Sequence, residues 1–281
     1  MGPDLSISTI GRETKLGRKV ARVTSSRKVG AVIFGALAAS MLCASCKPAA
    51  DDSGRPATSR EFPRAYRPVS PVGGNQFATE AQREKLNEAK VVMDLANIGV
   101  GTTVADIGAG EGYYTVRLGA RVGKNGRVLA EDIDAQAVQR LGLRVERERL
   151  DNVSIKLGTP DDPRLPEASF DRIFLIHMYH EVSEPYAFLW RLRPALRAGG
   201  KVIVVDVDRP TGEHGIPPPL LFCEFAAVGF RLSQFERKPE LQGYYAQFEA
   251  AGIRPAPAAI KPCGAPDGAI RGTNQVKRAA G

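Results

Sequence analysis

The sequence predicts an α/β fold: a parallel sheet of about seven strands with helices on both faces. Three observations carry that reading. Short apolar runs alternate with longer amphipathic ones through the middle of the chain. Runs such as "FDRIFLI" and "KVIVVDV" are apolar at successive positions, as strands buried on both sides are. A glycine-rich turn, "DIGAGEG" at 106–112, joins the first such run to a helix-like one.

The elements follow in order. "TEAQ" at 79–82 has the form of a capping box, and it opens a helix through "REKLNEAKVVMDLANIG". Leu86, Ala89, Val92, Met93 and Ala96 recur at helical spacing along it. Then come a strand at "TTVADIG", a helix at "GYYTVRLGARVG", a strand at "GRVLAEDI", a helix at "AQAVQRLGLRVERERL" and a strand at "NVSIKLG". "SFDRIFLIHM" reads as a strand, "PYAFLWRLRPALRAGG" as a helix closed by its glycines, and "GKVIVVDVD" as a β-branched strand. The stretch from Pro218 to Gly252 reads as one helix and two strands closing a sheet edge. We assign 78–253 to this domain, 47–77 to a Pro/Ser/Gly-rich linker and extended arm, and 254–281 to a loosely ordered tail.

The first 46 residues are of a different kind. The chain carries +8 overall, but residues 1–50 account for +6, and the remaining 231 for only +2. No clustered excess charge remains for a nucleic-acid surface, so no nucleic-acid partner is expected. Arg27 and Lys28 precede 18 uncharged residues, "VGAVIFGALAASMLCASC". A basic segment, an apolar segment and a small-residue end are the parts of a secretory signal, so we read 1–46 as a signal peptide or membrane anchor. "LCASC" resembles a bacterial lipoprotein box with Cys46 as the lipidated residue, although Cys43 stands where an aliphatic side chain is expected. Cleavage near Ala44–Ala49 is the alternative. Both place the chain outside the cytoplasm, in the periplasm or at a membrane; a signal that does not work would leave it in the cytoplasm. Cys223 and Cys263 either pair in an oxidising compartment or merely pack.

The glycine turn narrows the ligand. A dinucleotide fingerprint runs G-x-G-x-x-G, and its third glycine position is here Tyr113. Asp106 and Glu111 flank the turn, which disfavours a diphosphate and suits a cationic cofactor. "VADIGAGEGYYT" resembles the first motif of class I S-adenosylmethionine-dependent methyltransferases, whose sheet is Rossmann-like. "FDRIFLIHMYHEVSEPYAFLWRLRPALRAGGKVIVVDVD" resembles the family's fourth strand, following helix and fifth strand. His180, Glu184-Pro185 and Gly199-Gly200 fall on recurrent family positions.

The resemblance implies a methyltransferase with S-adenosylmethionine as cofactor. Asp106, Gly108, Ala109, Gly110, Glu111 and Gly112 would wrap its methionine part. Asp132, with Ile133 beside it, would hold the ribose hydroxyls, and Glu131 is the candidate if the register slips by one. Asp161 or Asp162 would reach the adenine amino group, and the other caps the turn before Pro163. His177, Tyr179, His180 and Glu181 should lie at the mouth of the site, with His180 and Tyr179 as candidate bases and His177 against the cofactor. Three histidines in the chain, with no third ligand evident, imply no metal. "FPRAYRPVSPVGGNQF" and "DRPTGEHGIPPP" are expected to lid the site and shape a pocket for a small-molecule or other acceptor. Two other readings stay open: an exported methyltransferase-like binding module without catalysis, and a nicotinamide enzyme that the glycine spacing disfavours.

Overall fold

The computed structural model describes residues 52–72 and 79–264. The expected signal over 1–46 with Cys46, the arm between 73 and 78, and the tail from 265 onward lie outside the described residues. Among the described residues no helix is long and apolar enough to cross a membrane.

Seven strands form one sheet: β1 (Thr103–Ile107), β2 (Arg127–Asp132), β3 (Val153–Leu157), β4 (Phe170–Ile176), β5 (Leu196–Asp206), β6 (Phe230–Lys238) and β7 (Gly243–Ala250), in the order β3-β2-β1-β4-β5-β7-β6. The pairs among β1 to β5 are parallel, whereas β7 is antiparallel to both β5 and β6. The sheet is therefore mixed. A β6–β7 hairpin, joined through a short 3-10 turn at Pro239–Leu241, inserts β7 beside β5.

Both faces are covered, and strand alternation sorts the core into two layers. Val104, Phe174, Ile176, Ile203 and Val205 face α2 (Glu88–Leu95) and α3 (Tyr113–Val122). Ala105, Ile107, Ile173, Leu175, Val202 and Val204 face α5 (Pro185–Leu192) and α6 (Pro218–Ala227). The helix α4 (Ala135–Arg147) packs against β2 and β3 and buries Leu141. This strand order reverses direction between β1 and β4, so the crevice above their carboxyl ends is where such sheets bind ligands.

Three elements differ from expectation. The first predicted helix is two: α1 (Glu80–Lys85), with the capping box formed as expected, and α2. Asn87 takes a left-handed φ of 51° between them, which turns Leu86 outward and lets α2 alone face the core. The helix α5 stops at Leu192, because Pro194 cannot continue it, and "LRAGG" opens β5 rather than closing a helix. Residues 254–264 dock on the domain instead of fraying. The Trp190 indole donates to the Pro255 carbonyl, Arg254 stacks on the Trp190 ring, and Cys263 is disulfide-bonded to Cys223.

The described part of the arm is built into the fold. Phe62 is buried against Trp190. Arg67, almost fully buried, pairs with Glu224 of α6 at 2.8 Å. It also donates to the carbonyls of His180 (3.3 Å) and Val182 (3.0 Å). Ser70 donates to the Thr211 carbonyl and accepts from the His214 N–H. The two segments expected as lids thus meet at Ser70, and the arm braces the turn beyond β4.

Candidate active site

The turn after β1 is shaped by its glycines. Gly108, Gly110 and Gly112 all have positive φ, at 67°, 55° and 88°. Side chains rarely adopt that region, and space adds a second constraint. A Cβ on Gly112 would run into Leu141 of α4, and one on Gly108 would press on Met178 at 3.0 Å. One on Gly110 would meet nothing, so this glycine borders open space.

Asp132 and Glu131 part at the tip of β2. The Asp132 carboxylate accepts from the Gly110 N–H at 2.8 Å and from the Asp134 N–H at 2.9 Å. It therefore sits against the glycine turn on the α3 side. Glu131 points to the other face and is 2% exposed. Its Oε1 is buried without a hydrogen-bond partner, directly where a Cβ on Gly158 would lie. Burial, with Asp132 and other acids nearby, pushes the Glu131 carboxyl up to about 8, against which the Gly108 N–H is a partial counterweight. Asp106, at the end of β1, is buried too. Burial raises it to about 6, although Thr115 Oγ1 donates to it at 2.6 Å. That bond pins the first turn of α3 to β1. Ile133 is half exposed beside Asp132, free to present an apolar surface to a planar ring.

Several predicted contacts lie elsewhere. Glu111 turns outward, and its exposed carboxylate pairs with Arg140 at 3.3 Å, so it does not line the turn's inner side. Asp161 is claimed by the arm and α5: Thr58, Ser59 and Arg191 donate to its Oδ2 at 2.6, 2.8 and 2.7 Å. Asp162 accepts from the Arg164 N–H and caps its own turn. Asp161 thus has structural work, whereas half-buried Asp162 spends Oδ1 on its own turn. Tyr179 is fully buried and donates to Glu224 Oε2 at 2.8 Å; burial pushes its hydroxyl well above the ordinary tyrosine range. A base it is not.

His177 and His180 diverge from the end of β4. His177 has a left-handed φ of 54°, and its Nε2 lies 3.5 Å from Glu88 Oε1 on α2. Burial opposes the charge on Glu88, yet His177 and Arg83 together hold its carboxyl down to about 2. Arg83 pairs with Glu88 at 2.6 Å and lies over the Tyr113 ring. His180 is fully buried, and its Nδ1 is 3.0 Å from both oxygens of Asp206, the last residue of β5. A carboxylate oxygen accepts, so Nδ1 is the donor in this contact and Nε2 lies on the far side of the ring. Sequence reasoning missed Arg83, Glu88, Asp206 and His214. Only "VVDVD", a strand ending in an acid, gave a hint of one of them.

The residues at the turn fit a nucleoside-type cofactor. Three left-handed glycines admit a close approach, Gly110 opens to space, and Asp132 and the half-exposed Ile133 flank it. A family model described as "Methyltransferase domain" matches residues 104–200, the span from β1 to the start of β5. The ubiquinone/menaquinone biosynthesis C-methyltransferase UbiE of Hahella chejuensis is 27% identical over 128 residues, 43% of this chain and 49% of that one. Nocamycin O-methyltransferase of Saccharothrix syringae is 29% identical over 137 residues, 47% and 45% of the two chains. The match thus spans about half the length of these curated relatives. Among solved structures, a SAM-dependent methyltransferase of Aquifex aeolicus superposes with a TM-score of 0.53 at 22% identity, covering 62% of this chain and 98% of that one. The [4+2]-cyclase SpnF also gives 0.53, at 16% identity, covering 68% and 89%. Residues 104–200 thus match a methyltransferase domain, and the chain has the fold of the class I S-adenosylmethionine-dependent methyltransferases.

Proposed function

We propose that the protein transfers a methyl group from S-adenosylmethionine to an acceptor that docks beside the turn after β4. The observation that carries this is the turn itself: three left-handed glycines and Asp132, at the switch point of the sheet, inside the matched domain. Asp132 would hold the ribose hydroxyls, and Ile133 would cover the adenine. Asp106, Arg83 and Glu88 border the methionine end, with acidic and basic groups for a zwitterion. The cofactor supplies an activated methyl on a sulfonium, so the chain's task is to bind, align and exclude water. Such a transfer needs neither a nucleophilic side chain nor a triad. UbiE is by name a C-methyltransferase and the nocamycin enzyme an O-methyltransferase, so their names suggest no single acceptor atom.

A second reading is an exported methyltransferase-like binding module without catalysis. The Cys223–Cys263 disulfide favours it, because it adds to the signal-like N-terminus a second feature of oxidising compartments, where this cofactor is not made. We place the chain in the periplasm or at a membrane through its N-terminal segment. A fold shared with a cyclase also warns against reading activity from architecture.

Calorimetry with S-adenosylmethionine, S-adenosylhomocysteine and NAD tests both. Binding of the first two and not the third is expected. Asp132→Ala should weaken binding by about 1.5–3 kcal/mol per lost charged hydrogen bond. Unchanged affinity in that variant would remove the proposed role. Conversion to S-adenosylhomocysteine with a panel of acceptors then separates enzyme from binding module.

A further inference from the structure

We propose that His180, Glu181 and His214 form a site for a divalent first-row transition cation such as zinc(II). The three side chains come from two segments, the 3-10 turn after β4 and the loop between β5 and α6. One ligand atom from each lies within 4.8 Å of the others. Two imidazoles and a carboxylate suit zinc-like ions better than magnesium or calcium, which prefer all-oxygen cages.

Three features make this a built site rather than a chance cluster. Asp206, itself fully buried, grips His180 Nδ1 with both oxygens, which orients the ring with Nε2 on the side away from Asp206. A carboxylate behind a histidine is the usual outer support of such ligands. His214 has a buried Nδ1 with no hydrogen-bond partner, in a backbone held left-handed at φ 55°. The arm then braces both segments, Arg67 on the carbonyls of the 179–182 turn and Ser70 on Thr211 and the His214 N–H. The His180 and His214 rings meet edge to face, 5.7 Å between centroids. Three ligands leave a position open for water or a substrate heteroatom, which a cation would make more acidic.

The inference does not depend on methyl transfer, and its test keeps the two apart. The full chain carrying Cys43→Ser and Cys46→Ser, which removes the two thiols outside the described residues, is titrated with zinc(II) against a chelating dye. Stoichiometric binding is expected. His214→Ala and Glu181→Gln should each weaken it by at least about tenfold, and Asp206→Asn by about 10–100-fold. Cobalt(II) should give a visible ligand-field band that His214→Ala abolishes. His214 and Glu181 are only half buried, so these variants are expected to fold even if His180→Ala does not, with melting temperatures as the control. Substoichiometric zinc, or affinity unchanged in His214→Ala, would overturn the site. Cofactor calorimetry on the same samples shows whether the methyltransferase reading stands or falls separately.

Discussion

Exchanging Glu131 for Gln should remove a loss of stability that the wild-type chain suffers as pH rises through neutrality. Glu131 is almost completely buried and its Oε1 is unpartnered, so the folded state holds its carboxyl protonated to about 8. The unfolded chain releases that proton near the ordinary glutamate value of 4.5. A carboxyl raised on folding contributes its stability fully below the unfolded value and loses it as pH climbs through the folded one. The whole window is worth about 5 kcal/mol at 1.36 kcal/mol per unit. Asp106 behaves in the same sense but only up to about 6, so the range from pH 6 to pH 8 isolates Glu131. Over it the wild-type should lose about 2 kcal/mol through this group. Urea unfolding at both pH values, in one ionic strength, measures the change in each protein. Contributions common to both proteins cancel in the difference. Equal losses in wild-type and Glu131→Gln would refute the reasoning, because they would mean the carboxyl finds a partner or water in the folded state.

Gly112→Ala combines a strained left-handed residue with a Cβ driven into Leu141, and should cost about 2–4 kcal/mol by thermal melting while weakening cofactor binding. Arg67→Ala leaves Glu224 buried and unpaired beside the Tyr179 hydroxyl; a loss of about 3–5 kcal/mol is expected in denaturant titration, most of it recovered by Glu224→Gln in the same chain. Reducing the Cys223–Cys263 bond, which closes a 40-residue separation, should remove about 4 kcal/mol, read as a fall of roughly 10 °C in melting temperature. A Tm that does not respond to reductant would show that the 254–264 segment is held by its Trp190 contacts alone.

The sequence by itself determined the parallel strands, the glycine turn and the cofactor class. Those features are local: strand burial shows as unbroken β-branched runs, and positive φ selects glycine within seven residues. The capping box at Thr79 was legible for the same reason, being complete within four residues. Tertiary structure decided what each acid and histidine does. Asp161 meets Thr58 and Ser59 across about a hundred residues, and Arg67 meets Glu224 across 157. Nothing near Asp161, Glu111 or Tyr179 in sequence marks them as taken by the arm, by α4 or by α6. His214 stands 34 positions after His180, and only the return of the chain along β5 and the brace at Ser70 set their rings edge to face. Backbone preference acts within a few residues and can be read one window at a time. A polar side chain's role depends on which charge the fold brings opposite it, and that pairing exists only once the sheet has closed.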